Sequence, residues 1–300
     1  LIIYAAYRYT KTRIILLMRL KTEHEQRVNM ENMNQQKINF FTYISHDLKT
    51  PLTLILSPLQ RLIQQPQISN NDKEKLEVIY RNANRMNYLI NELLTFSKIE
   101  MKQMHISVRK GDIMHFLEEL SHIFDIVAGE REIDFIVSLE DTKEEVWFSP
   151  SKLERILYNL LSNAFKYTQP GGYVRLSAKL IKEEKENMVQ ISVKDSGRGI
   201  PKDVQEQIFE SYYQVEKRDH REGFGLGLSL TRSLIHMHKG EIRVESEVNK
   251  GSDFIVTLNV SEDAYAPDER SSENITTEEI QKYNQRLKET IEPVSYTHLT

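Results

Sequence analysis

Cysteine is absent from this 300-residue chain. That excludes a disulfide framework and thiolate metal sites, while leaving the compartment open. No run reaches the roughly 18 apolar residues of a complete membrane span. Neither sign of charge dominates: 40 basic side chains face 44 acidic ones, a net charge of −4. A chain held on nucleic acid through phosphate contacts would need a basic face, so direct nucleic-acid binding is not expected. Glycine is missing from the first third of the chain. None of the 11 glycines precedes Gly111, yet five fall between Gly197 and Gly227. Glycine breaks helices and lets backbone approach closely, so the first hundred residues read as long helices and the cluster as a loop-built site. With 39% hydrophobic residues and 9% aromatics, global disorder is excluded. The length predicts two domains of roughly 150 residues each.

Residues 1–20 combine an apolar stretch, Leu1 to Tyr7, with Arg8, Lys11, Arg13 and Arg19 and no acid. This is the pattern of the cytoplasmic end of a membrane helix followed by a basic juxtamembrane run. A frayed, basic coiled-coil start is the alternative. A signal peptide would carry its charges before the apolar stretch.

Residues 21–103 read as a helical region. Ile38, Phe41, Ser45, Leu48, Leu52, Ile55, Leu59 and Leu62 follow one another at steps of three and four, a seam that packs on partner helices. Pro51 and Pro58 should bend this helix. Asn71 with Glu74 resembles a capping box opening a second helix, whose rows Leu76, Ala83, Ile90 and Ile79, Met86, Leu93 repeat every seven residues. Two narrow stripes are most economically buried by a hairpin that dimerises into a four-helix bundle. His46 and Asp47 sit just off the seam, and Thr50 shares a face with His46. A lone His on a coiled coil is usually solvated. An adjacent carboxylate, however, can hold one ring nitrogen's proton and leave the other as a nucleophile.

Residues 104–260 read as mixed strands and helices. Strands are expected at 105–109, 133–139, 146–148, 173–180, 189–194, 241–245 and 254–260, and helices at 112–128, 151–168 and 225–238. Ser149 and Pro150 suit a helix cap and first helical position. The expected fold is α+β and multidomain, with the helical hairpin followed by an α/β sandwich covered by helices on one face.

Three motifs lie within 70 residues. Asn159, Asn163, Lys166 and Tyr167 line a face read as polar, opposite Ile156, Leu157, Leu160 and Ala164. Amide oxygens suit a hard cation such as Mg²⁺, and lysine suits phosphate; alone, a solvated helix face explains the pattern as well. Asp195, Gly197 and Gly199 at a strand end place an acceptor beside backbone that a planar ligand can approach, and read equally as a capped glycine turn. Gly223, Gly225 and Gly227 run into a helix, where glycine amides and the helix dipole meet an anion. A lone glycine triplet is weak. Together, the three specify a nucleotide site with Mg²⁺ at the phosphates.

Phe40 to Thr53 around His46, Asn159–Thr168, Asp195–Gly199, Ile208–Tyr213, Gly223–Gly227 and Gly251–Phe254 resemble the sequence boxes of sensor histidine kinases of two-component systems. That family joins a dimerising phosphoacceptor domain to an ATP-binding domain of the gyrase, heat-shock-90 and MutL type. The resemblance implies a protein histidine kinase: ATP-dependent autophosphorylation of His46 in a homodimer, then relay to a response-regulator receiver aspartate, with phosphatase activity expected as well. It also implies individual roles. Asp47 would accept the other ring nitrogen's proton, and Thr50 would position water for dephosphorylation. Asn163 would ligate Mg²⁺, assisted by Asn159; Lys166 and Tyr167 would contact phosphate and ribose; Asp195 would accept from the adenine amino group. Residues 210–222 would form a lid, with Lys217, Arg218 or Arg221 reaching phosphate. Asp47 stands where the family more often has Glu, and Ser149 where Asp is frequent. Finer wording around His46 and residues 82–100 is similar to hybrid sensors of extracellular glycans, which implies the cytoplasmic portion of an inner-membrane protein.

A conformational ATPase of the same superfamily, or a nucleotide-binding scaffold without transfer, is the rival reading. The ATPase would need an acid before Asn163, and Glu154 is nine residues away. Residues 261–300 are expected to be an acidic linker ending in a scar at 294–299, since 261–280 carry seven acids and one base.

Overall fold

A computed structural model describes residues 47–63, 65, 68–101, 103–182, 186–213, 225–276 and 278–285, with isolated positions before residue 47. His46, Gly223, the apolar amino end, lysine and arginines 217, 218 and 221, and the 294–299 segment lie outside the described residues.

Helix α1 (residues 47–63) runs through Pro51 and Pro58. The seam divides along it: Leu52 and Leu59 are buried, whereas Leu48, Ile55 and Leu62 stand exposed. Helix α2 (Asn70–Glu100) divides the same way, with Ala83 buried and Ile79 and Met86 exposed. Its cap is not the expected Asn71. Ser69 takes that place, its hydroxyl accepting from the Asp72 N–H and lying 2.7 Å from the Asp72 carboxylate. Serine at this position satisfies an orphan amide, and the acid three residues on complements the dipole.

The second unit is built on a five-stranded sheet in the order β2 (Asp134–Leu139), β4 (Tyr173–Lys182), β5 (Asn187–Asp195), β7 (Gly251–Asn259), β6 (Glu241–Glu247). β2 and β4 are parallel and the other neighbours antiparallel. Alternation makes the sheet one-sided: Val174, Leu176, Ala178 and Val189, Ile191, Val193 point into one core. Over that face lie α3 (Ile113–Ser121), α4 (Ile123–Arg131), α5 (Pro150–Tyr167) and α6 (Gly227–Met237). Phe165 of α5 stacks on Phe124, with centroids 5.6 Å apart, and meets Phe135 edge-on at 5.3 Å. A small antiparallel pair, β1 (Arg109–Asp112) and β3 (Glu145–Phe148), stands apart from the main sheet.

Three expectations change. The helix read at 112–128 is two, because the Ser121 hydroxyl takes the Glu118 carbonyl at the junction. The strand read at 105–109 begins only at Arg109. The stretch read as an acidic linker is, over its described residues up to 285, packed on the domain, for Tyr265 and Ile280 are buried and residues 278–285 form a helix, α7, against it.

Ser149 precedes α5 without a side-chain cap bond. Its N–H donates to Nε2 of His238 at 3.1 Å, while His238 Nδ1 donates to the Leu234 carbonyl at 2.9 Å. One nitrogen faces a donor and the other an acceptor, so the neutral ring fits and the imidazolium does not. Burial chiefly, with Lys152 nearby adding to it, holds the ring down to about 4 against the Leu234 bond. Folded protein thus binds fewer protons than unfolded protein between pH 4 and 6.5, and stability from this group is lost as pH falls through that window. Urea titrations of the chain and of His238→Gln at pH 7 and pH 4 should show the native histidine's advantage shrinking by about 3 kcal/mol. A pH-independent difference would contradict this.

Candidate functional site

Inward residues of β5 fall at every second position, and Asp195 is the last of them, which carries a carboxylate to the edge of the core at 4% exposure. Burial pushes its pKa up to about 6. The N–H groups of Gly197, at 2.8 Å, and of Ser252 counter this, and Asp253 adds to it. The next turn needs glycine. A Cβ on Gly197 would lie 2.5 Å from the Tyr167 carbonyl oxygen, and Gly199, at φ +67°, would drive one into the Glu247 carbonyl. The loop is tied to the β6–β7 hairpin: Ser246 Oγ accepts from the Ile200 N–H at 2.8 Å, and Arg198 O accepts from Asn249 N–H at 2.7 Å.

Helix α5 meets this loop at one end and α6 at the other. Two cations lie against the Tyr167 ring, with Lys166 Nζ 4.8 Å and the Arg198 guanidinium 4.7 Å from its centroid. Two turns back, Asn159 donates to Thr231 Oγ1 at 2.6 Å, and its Oδ1 would be 2.6 Å from a Cβ on Gly227. The rise from Asn159 to Tyr167 is about 12 Å, with Asn163 and Lys166 between. Asn159 does not lie on a solvated face: it is buried at the α5–α6 contact. Asn163 is half-buried, and its side-chain amide makes no hydrogen bond among the described residues.

Helix α6 begins without a side-chain cap, which leaves its first-turn N–H groups available to an anion. Just before it, Gly225 at φ +69° sits 2.7 Å, by its missing Cβ, from the Tyr213 carbonyl, and its own carbonyl accepts from the Tyr212 N–H at 2.9 Å. Residues 212 and 225, on either side of 214–224, are therefore joined. Phe209, expected within a motif, is buried and meets Phe254 edge-on at 6.4 Å.

Gly197, beside Asp195, thus adjoins Tyr167, while Gly227 adjoins Asn159, so the described parts of the three motifs meet along α5. Asp47 and Thr50 are exposed on α1 and are not part of this cluster. Arg198 and Thr231 were missed as site residues. Arg198 was visible between two glycines, but Thr231 has no sequence signal that separates it from any other helical threonine. Among the described residues no group of three or more His, Asp or Glu side chains is placed to hold a metal.

Residues 148–262 match the family of histidine kinase-, DNA gyrase B- and HSP90-like ATPases, and residues 36–102 match the His Kinase A (phospho-acceptor) domain. The chain belongs to the sensor histidine kinases of two-component systems. It is 34% identical over 285 residues to Histidine kinase P4 of Formosa agariphila, covering 93% of this chain and 20% of that protein. It is 33% identical to Sensor histidine kinase WalK of Bacillus subtilis, covering 78% of this chain and 38% of WalK. This kinase chain therefore spans only about a fifth to two fifths of those relatives. The solved structure of full-length ShkA in complex with AMPPNP shares its fold, with a TM-score of 0.63 and 24% identity over 74% of this chain and 46% of ShkA. No described helix is long and apolar enough to cross a membrane.

The glycine contacts at the α5–α6 junction are tight enough to test. Gly227→Ala should push Asn159 off Thr231 and cost on the order of 1–3 kcal/mol, as overpacking does. Chemical denaturation would measure it, and a neutral substitution would refute the contact.

Proposed function

We propose that this chain is the phosphoacceptor and ATP-binding part of a kinase that phosphorylates itself on His46 with the γ-phosphoryl of ATP. The observation that carries this is the meeting of three motifs along α5 in an ATPase-type domain joined to a phosphoacceptor-type helical segment. Asp195, a buried acceptor beside glycine backbone, would take the adenine amino group. Lys166 and Tyr167 would contact phosphate and ribose, Asn163 would ligate Mg²⁺ with Asn159 holding α6 in place, and the uncapped α6 amides with Gly223, Gly225 and Gly227 would receive the phosphates.

Mg²⁺, when bound with the nucleotide, would neutralise phosphate charge, so the protein's share is positioning and electrostatics. A ring nitrogen of His46 forms the N–P bond as the bond from γ-phosphorus to the bridging oxygen breaks and ADP leaves. Asp47 receives the proton of the other nitrogen. A receiver aspartate then takes the phosphoryl, in cis in a hybrid protein and otherwise in trans. Thr50 would orient water for the reverse, phosphatase, duty. Exposed Leu48, Ile55 and Leu62 on α1, with Ile79 and Met86 on α2, suit a second copy of the hairpin and hence a homodimer. The basic stretch within residues 1–20 supports attachment to the cytoplasmic side of an inner membrane. A clamp-type ATPase fits less well, since Glu154 is more than two turns from Asn163.

Incubation with γ-labelled ATP and Mg²⁺ should give acid-labile, base-stable label on the chain and none on His46→Gln. Equal label on both would mean another acceptor. Asp195→Asn should keep the fold and lose at least about tenfold in ATP affinity, roughly 1.4 kcal/mol. Calorimetry would show the loss; unchanged affinity would remove Asp195 from the site. Because the carboxylate is the binding form, affinity of the native chain should fall as pH drops through about 6.

A further inference from the structure

The matched ATPase region ends at residue 262, but the chain continues as a built part of the domain. Tyr265 is 2% exposed, and its hydroxyl shares a proton between the carbonyls of Asn259, at 2.5 Å, and His238, at 3.2 Å. The strand-like stretch that follows runs parallel to the chain entering β1. Val108 N–H donates to the Glu269 carbonyl at 2.8 Å, Ser271 N–H to the Val108 carbonyl at 3.0 Å, and Ile275 N–H to the Lys110 carbonyl at 3.1 Å. Ile275 fills the hollow over Gly111, where a Cβ would lie 2.8 Å from its Cδ1. On α7, the Glu279 carboxylate receives both bonds of a fork from Arg109 Nη1, at 2.9 and 3.1 Å, and Tyr283 meets Phe116 edge-on at 5.8 Å. The Arg109 guanidinium holds the Glu279 carboxyl below the usual range.

This contact falls on the connection between the two units. At its upstream end Gln103 N–H is still bonded to the Lys98 carbonyl, 2.9 Å, closing α2. Downstream, Ile106 and Val108 are buried with Tyr265 against Trp147. Only Met104 and His105 lie between the helix end and the clasped segment, and Met104, like Ile99 of α2, packs against the edge of the ATP-binding core. Without the tail, the first residue secured by strand pairing would be Arg109, opposite Phe148, and the articulated stretch would grow from two residues to five.

We propose that residues 262–284 are an intramolecular clasp that sets the length of the hinge between the phosphoacceptor helices and the ATP-binding domain, and so the rate at which bound ATP meets the acceptor histidine. The catalytic half of this inference rests on the kinase reading; the hinge half does not. Tethered encounter falls roughly as the −3/2 power of link length once the link can reach, so a hinge of five residues in place of two should slow transfer on the order of two- to fourfold while leaving the affinity of the nucleotide site unchanged.

The test uses the full chain with Ile275→Glu, Glu279→Arg, and Glu279→Arg combined with Arg109→Glu. Three quantities are read: hydrogen exchange at the Val108 amide, affinity for ATP, and the initial autophosphorylation rate. Both single variants should raise Val108 exchange at least tenfold and slow autophosphorylation two- to fourfold, with ATP affinity within twofold of native. The charge-swapped pair should restore both changed readouts. Unchanged exchange or an unchanged rate in the singles would overturn the proposal. So would a parallel loss of ATP affinity, which would make the tail an ordinary part of the domain core. A native chain that binds ATP and takes no label would instead count against the kinase reading, and the exchange data would still decide the hinge.

Discussion

The candidate site depends on backbone approaching backbone at the carboxyl end of β5. Three segments converge there: the end of α5, the turn after Asp195, and the start of β7. A side chain at Gly197 would strike the Tyr167 carbonyl, and one at Gly251 would enter the Asp195 carbonyl. Removing Cβ at these positions lets a strand, a helix end and a hairpin close to within van der Waals distance. A glycine costs conformational entropy on folding, and here the sequence accepts that cost where backbone meets backbone.

The same economy explains why α5 is the element on which the motifs agree. Its apolar residues Leu153, Ile156, Leu157, Leu160 and Leu161 are all buried, which fixes its axis over the sheet. Asn159 and Tyr167 then register the two glycine loops against each other two turns apart. α2 touches this arrangement as well. Thr95 accepts from Arg155 at 2.7 Å, Phe96 meets Tyr212 edge-on at 5.9 Å, and Glu92 faces Tyr158, where burial chiefly and that carboxylate together push the phenol up. The phosphoacceptor hairpin is thus connected to the ATP-binding unit through its own second helix, not through the hinge alone.

Elements with strong periodicity were legible in the sequence. The amphipathic helix at 151–168 and the alternating strands at 133–139 and 173–180 appear within a residue or two of where alternation placed them, because burial of one face decides both. Asn159 shows where such reading stops. It lies only about 60° from Ile156 on a helical wheel at 3.6 residues per turn, so the face read as polar was the buried one, and only α6 bringing Thr231 to it makes the burial tolerable. The tail shows a second limit. Seven acids and one base in twenty residues describe a solvated segment on average, but Tyr265, Ile275 and Ile280 are spaced irregularly and give no period to detect. Their burial is set by the β1–β3 pair and α3, which composition cannot see.

Two buried titratable groups separate structural from ligand-directed burial. His238 has one acceptor and one donor, and both are met by backbone partners; the neutral ring is complete, and nothing is left to offer. Asp195 receives the N–H groups of Gly197 and Ser252, but an ionised carboxylate has about four lone-pair sites. It is desolvated without being saturated, which raises its pKa and disfavours the folded state as pH rises through about 6, the opposite sign to His238. That unused acceptor capacity, beside glycine backbone, is what the adenine contact proposed for Asp195 would draw on.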